Sequence, residues 1–110
     1  MNYGIFIGYH FKPAWLAMSI QEREEFRHTH LDPIFVKYAD RVEAQHYDAE
    51  SFSAHPTDFM FVRTDELRSY YFFIEELRET PLFSADLAEI DVICVGIADG
   101  YQEFAQEATT

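Results

Sequence analysis

The sequence predicts an α+β protein of the ferredoxin-like kind, βαββαβ, with a four-stranded antiparallel sheet and two helices on one face. Three observations lead there. Apolar periodicity switches between two and 3.6 in the order strand, helix, strand, strand, helix, strand. The two middle strands are separated by only nine residues, 49–57, too few for a parallel crossover. The first strand is apolar on both sides, yet only two helices are available to cover the sheet.

In residues 2–11, Tyr3, Ile5, Ile7, Tyr9 and Phe11 share one face, and Gly4, Phe6, Gly8 and His10 share the other. A central strand follows, with Gly4 and Gly8 marking a close approach on the second face. Residues 13–18 (PAWLAM) lead to Ser19 and Glu22, which match a capping box. The first main helix is predicted over 20–38, bent or broken by Pro33. Phe26, Leu31, Ile34 and Tyr38 form its apolar side, and Arg23, Arg27 and His30 project onto much the same side.

A buried arginine needs a partner, since an unpaired one costs about 3–5 kcal/mol. Two readings follow. In one, the arginines lie along the stripe edge with their heads in water. In the other, Arg23 and His30 point into a cavity between helix and sheet and grip an anionic or polar ligand.

Residues 41–48 alternate as a strand, with Val42, Ala44, His46 and Asp48 on one face and Glu43, Gln45 and Tyr47 on the other. Residues 58–63 form the next, antiparallel strand. Thr64 is the expected N-cap of the second main helix, with Asp65 and Glu66 at its positive end. Its predicted buried stripe is Leu67, Tyr70, Tyr71, Ile74 and Leu77. Phe72 points the opposite way, and Pro81 stops the helix. Residues 89–95 form the last strand, and 101–106 a short terminal helix or arm.

The chain has 110 residues, enough for one domain over 1–110 with a core that needs no metal or disulfide staple. Its net charge of −12 argues against nucleic acid or an anionic membrane as partner. No apolar run reaches the ~18 residues of a membrane span, and the first ten residues show no basic leader. A cytoplasmic location is expected. The single cysteine, Cys94, reads as a buried strand residue. Eleven Phe, seven Tyr and one Trp exceed what one small core covers, so some are expected at a pocket or at a homodimer interface formed by the open sheet face.

His28 and Asp32 at i, i+4 are too few ligands for a metal site, and none is expected. A haem would need an axial histidine in an apolar pocket, a role left to His46 or His30, and no cofactor is expected.

The segments PAWLAMS, HLDPI at 30–34, TDELRSYYFFIEELRETPLF at 64–83 and GIADGYQEF at 96–104 resemble the darcynin family of small bacterial proteins. The resemblance covers nearly the whole chain. It implies a dimeric α/β-barrel architecture but no assigned activity, so it supplies no functional residues. Two classes of function follow. One is a non-catalytic small-molecule-binding or stress-related dimer. The other is a cofactor-free monooxygenase-like or isomerase-like enzyme with a pocket between the first helix and the sheet. The candidate pocket residues are Arg23, His30, His46 and Tyr71.

Overall fold

The structure, a computed structural model, describes residues 2–110. Four strands, β1 (Tyr3–Phe11), β2 (Val42–Asp48), β3 (Asp58–Thr64) and β4 (Ala88–Ile97), form an antiparallel sheet in the order β2-β3-β1-β4. This is the ferredoxin-like order, with β1 central as its two-sided apolar pattern requires. The nine-residue loop returns the chain antiparallel, held by Ala49 N–H to the Thr57 carbonyl (2.8 Å) and Thr57 N–H to the Tyr9 carbonyl (3.1 Å).

A one-turn helix, α1 (Pro13–Leu16), precedes the first main helix. Ser19 caps that helix through the reciprocal box with Glu22, at 3.0 and 2.8 Å. The helix runs as α2 (Ile20–Phe26), a π-helical turn (Arg27–Leu31) and α3 (Asp32–Tyr38). Pro33 therefore does not end it. Proline lacks an amide and its ring crowds the carbonyl four residues back. Widening the preceding turn, so that Asp32 N–H bonds to the Arg27 carbonyl, lets the helix continue.

The second main helix, α4 (Leu67–Arg78), begins after Thr64 rather than on it. Thr64 is fully buried, donates its hydroxyl to the Arg41 carbonyl (2.9 Å) and accepts from Glu66 N–H (3.2 Å). It closes β3 and turns the chain, and Glu66 takes the N-cap position. The buried stripe of α4 is Ser69, Phe73, Ile74 and Leu77. The stripe expected from sequence is rotated too far: Leu67 and Tyr71 lie outside, and Phe73 is the largest fully buried side chain of the main core. Phe73 sits edge-on to Phe35 and Tyr38 of α3, which draws it inward. The Tyr38 hydroxyl donates to Glu76, which also takes Lys37 at 2.9 Å, so α3 and α4 are joined at their outer edge.

A second cluster of Trp15, Leu82 and Ala88 packs with α1, the short α5 (Pro81–Ser84) and the start of β4. Among the described residues no helix covers the far face of the sheet. Phe6 and Phe59 lie 5.1 Å apart there, and Tyr47 stacks on Phe59 at 4.8 Å. The close approach marked by the glycines is real: a Cβ on Gly4 would meet Phe61 at 3.0 Å, and one on Gly8 would meet Val92 at 2.9 Å. Cys94 stands opposite Phe6 on this face and is exposed, not buried, because β4 is an edge strand with nothing over it in the protomer.

The C-terminal α6 (Gly100–Thr109) buries no residue, and its Tyr101 and Phe104 are 82% and 67% exposed. The radius of gyration is 16.2 Å, against the ~13 Å expected for a compact chain of this length. Among the described residues no helix is long and apolar enough to cross a membrane.

Replacing Phe73 by alanine should destabilise the fold by about 3–5 kcal/mol. Tyr71→Ala should cost well under half as much, because Tyr71 is 56% exposed. Urea unfolding of both variants reads the difference, and equal costs would restore the rotated stripe.

Candidate functional site

The strand registers arrange the helix-facing side chains of β1, β3 and β2 into cross-strand rows. Tyr3, Thr64 and Val42 form the first; Ile5, Val62 and Ala44 the second; Ile7, Met60 and His46 the third; Tyr9, Asp58 and Asp48 the fourth. The sheet floor thus runs from apolar to acidic within four rows. α3 and α4 press on the first rows and make the core. Over the later rows the helical layer lifts, leaving a cavity of about 880 Å³.

Ile7, Ala44, Met60, His46, Tyr9 and Asp58 form the floor. Arg23, Arg27, Leu31 and Phe35 reach it from the helix. Trp15, Phe11, Leu82 and Ile90 close the apolar end, with Phe11 and Trp15 stacked at 4.8 Å.

Of the four residues singled out from sequence, the structure brings Arg23 and His46 to this cavity. His30 is half-buried beside it, packed on Phe26 at 4.7 Å. Projection by 3.6 residues put His30 in line with Arg23. The π turn inserts an extra residue, so the inward series becomes Arg23, Arg27, Leu31, Phe35. Tyr71 lies outside the cavity, on the outer surface of α4 beside Phe72, since Phe73 occupies the inward position. Tyr9, Arg27 and Asp58 belong to the cavity although sequence did not nominate them. Strand alternation set Tyr9 and Asp48 on the right faces, but cross-strand register alone joins them to Asp58.

The arginines are already engaged. Arg23 donates from Nε (3.2 Å) and Nη2 (3.1 Å) to the Met18 carbonyl. Arg27 pairs with Glu24 at 3.0 Å. Burial raises the Tyr9 hydroxyl well above its ordinary pKa, with the charge of Asp58 adding to it. Burial likewise raises Asp58; a bond from Thr57 (2.9 Å) opposes this, and Asp48 and Glu50 add to it. His46 packs edge-on against Phe35 at 5.0 Å. His46 is exposed to solvent on one side, yet the loss of water on the cavity side and then Arg27 move its pKa below the usual imidazole value, with Asp32 opposing.

The fold, a four-stranded sheet half covered by helices, is similar to that of two solved structures. A haem-binding protein from Thermus thermophilus superposes with a TM-score of 0.81 at 17% identity, over 96% of this chain and 43% of that one. Chlorite dismutase from Candidatus Nitrospira defluvii, in complex with imidazole, gives 0.76 at 14% identity, over 87% of this chain and 39% of that one. This chain thus spans about two fifths of each, and at such identities the likeness concerns the fold alone. The chain belongs to the darcynin family: residues 2–110 match the model of "Darcynin, domain of unknown function". Darcynin 1 of Acinetobacter baumannii is 35% identical over 89 residues, 81% of this chain and 98% of the relative. Darcynin of Chromobacterium violaceum is 30% identical over 74 residues, 67% of this chain and 92% of the relative.

The shifts of Asp58 and His46 act on stability at opposite ends of the pH range. A raised carboxyl pKa favours the fold below the ordinary carboxylate pKa, and that contribution is lost as pH rises through the folded value. Asp58→Asn should therefore raise the thermal midpoint at neutral pH and have a smaller effect near about pH 4. A lowered imidazole pKa costs stability as pH falls below about 6.5, because the unfolded chain takes the proton first. His46→Gln should flatten that acid limb. Thermal melts across pH read both, and an unchanged Asp58→Asn midpoint at neutral pH would refute the burial of that carboxylate.

Proposed function

We propose that the protein is a homodimer in which each protomer holds a small, mainly apolar molecule with one polar end, binding it without transforming it. The cavity carries this reading. Its volume lies within the ~300–1,000 Å³ of small-molecule sites, and its lining is apolar with a few convergent polar groups at one end. The engaged arginines favour a ligand that accepts one hydrogen bond over one that needs a free cation.

The dimer rests on uncovered apolar surface. Phe61, Val92 and Cys94 are exposed on the open face of the sheet. Ile93, Val95 and Ile97 are exposed on the helix side of β4, beyond the reach of the helices. Tyr101 and Phe104 stand out on α6. Uncovered apolar surface of this extent is what an interface uses, and a second copy supplies a matching one.

The haem of the Thermus neighbour does not transfer. Two propionates need cations, whereas Asp32, Asp48, Glu50 and Asp58 line this cavity against two arginines already bound to other groups. The residues present do not fit a haem. A second reading, a cofactor-free oxygenase-like or isomerase-like enzyme, draws on Tyr9, His46 and Asp58, three groups with displaced protonation in one cavity. Burial is the first cause of each shift, which a binding site shares, and binding is therefore preferred.

Filling the cavity tests the proposal. Ala44→Trp should abolish the fluorescence gain of an anilinonaphthalene sulfonate dye and the retention of any host molecule in native mass spectrometry, while secondary structure persists. Dye binding that survives this substitution places the site elsewhere. Haemin should give no Soret band of a histidine-ligated haem, and a shifted band lost in His46→Ala would reverse that conclusion.

Cys94 reports on the dimer. At high protein concentration it should react with a thiol reagent at least ~10-fold more slowly than after dilution below the dissociation constant. Reaction at one rate across all concentrations would show that the open face is not covered.

A further inference from the structure

Three residues from distant parts of the chain meet on the open side of the sheet. His10 lies near the end of β1. Asp91 is the extra residue at the β-bulge where β4 shifts register against Gly8 and Tyr9. His55 comes from the loop between β2 and β3. Asp91 Oδ1 is 2.9 Å from His10 Nδ1 and 2.8 Å from His55 Nε2. Asp91 Oδ2 is 3.1 Å from His10 Nδ1. One nitrogen from each ring and the carboxylate all fall within 4.8 Å of one another.

We propose that His10 Nδ1, His55 Nε2 and Asp91 bind a divalent transition-metal ion of the zinc class, with the remaining coordination position open to water. The donor set selects the class. Two imidazoles and one carboxylate suit zinc and its neighbours, whereas calcium and magnesium demand oxygen ligands. Three protein ligands and one open position are the arrangement of sites that present a metal-bound water.

The local backbone is built to bring these groups together. A bulge re-aims the side chain of its extra residue, and here it turns Asp91 under both rings. The Asp91 side chain is only 12% exposed, which holds it in place. Gly8 leaves room for the loop: a Cβ there would meet Pro56 Cγ at 3.1 Å, so Pro56 seats against bare backbone and sets His55 beside His10. The ring centroids of the two histidines lie 4.6 Å apart. Glu89 Oε2 lies 3.5 Å from His10 Nε2, the nitrogen facing away from Asp91. A carboxylate behind the far nitrogen of a ligating imidazole orients the ring and directs the other nitrogen's lone pair at the metal.

At the present spacing the near nitrogen of each imidazole donates to the Asp91 carboxylate; to take a metal each ring must carry its proton on the far nitrogen instead, which for His10 faces Glu89. With metal–ligand bonds of about 2.0–2.2 Å, a tetrahedral ion sets its donors about 3.4 Å apart. The 2.8 and 2.9 Å contacts must open by about half an ångström, and the nitrogen pair, within 4.8 Å, must come to the same separation. His55, 60% exposed on a loop, is free to make that adjustment. The site belongs to one chain and does not depend on the cavity or the dimer.

Untagged, chelator-stripped protein is titrated with Zn(II) against a chromophoric competitor, with excess Mg(II) to occupy the acidic surface. One tightly held Zn(II) per chain is expected. Asp91→Asn and His55→Ala should each weaken it by more than ~100-fold, and Glu89→Gln by about tenfold. Co(II) should give visible d–d bands that vanish in His55→Ala. His28→Ala, which removes the exposed His28–Asp32 pair (3.8 Å), should change nothing. His55 sits on an exposed loop, so its replacement leaves the fold intact, as circular dichroism will record. A folded His55→Ala protein that still binds one Zn(II) as tightly, or wild-type binding below one ion per chain, overturns the proposal.

Discussion

A sheet of four strands has two faces, and this chain has helix enough to cover part of one. Every other feature follows from that shortfall. α3 and α4 concentrate on the first rows of the sheet, where Ile5, Val62, Phe73 and, at the edge of the third row, Ile7 become the best-buried apolar side chains among the described residues. Packing at interior density is what makes those rows a core. Where the helices lift, the same sheet becomes the floor of a cavity. Where they do not reach, β4 keeps a row of isoleucine and valine in water.

The cavity owes its polarity to two local solutions. Pro33 cannot supply an amide to the turn before it, and the chain responds by widening that turn rather than breaking it. The extra residue carries the helix face forward, so that Arg23, Arg27, Leu31 and Phe35 point at the sheet. From below, the fourth row opposes them with Tyr9, Asp58 and Asp48. Cations above and carboxylates below leave a largely apolar chamber with one charged end, and each arginine is engaged by a group three to five residues before it in the chain. A ligand there meets shape and a few fixed dipoles more than free charge.

The far side of the sheet solves a different problem. Its aromatics pack on one another, with Phe6, Phe59 and Tyr47 in continuous contact, Phe61 over Gly4 and Phe6 beside Gly8. That self-packing reduces the exposed apolar area without removing it. At the end of the same face the bulge in β4 turns an acidic side chain toward two histidines, so chemistry gathers where the ladder is interrupted.

The order of strands and helices, the antiparallel middle pair, the capping box at Ser19 and Glu22 and the close approach at Gly4 and Gly8 were all legible in the sequence. Each depends on residues close together in the chain, where period and side-chain chemistry act directly. The family was legible for the same reason, since its motifs are contiguous. Arg23 and His46 could be nominated as cavity residues because helix and strand periodicity set their faces. The placement of His30, the inward position of Phe73 on α4 and the exposure of Cys94 were decided elsewhere. A one-residue π insertion, the pull of Phe35 and Tyr38, and the edge position of β4 are tertiary facts. The row of Tyr9, Asp58 and Asp48 and the cluster of His10, His55 and Asp91 join residues dozens of positions apart. Strand register creates those neighbours, and register is set by how the whole sheet closes, which no local pattern contains.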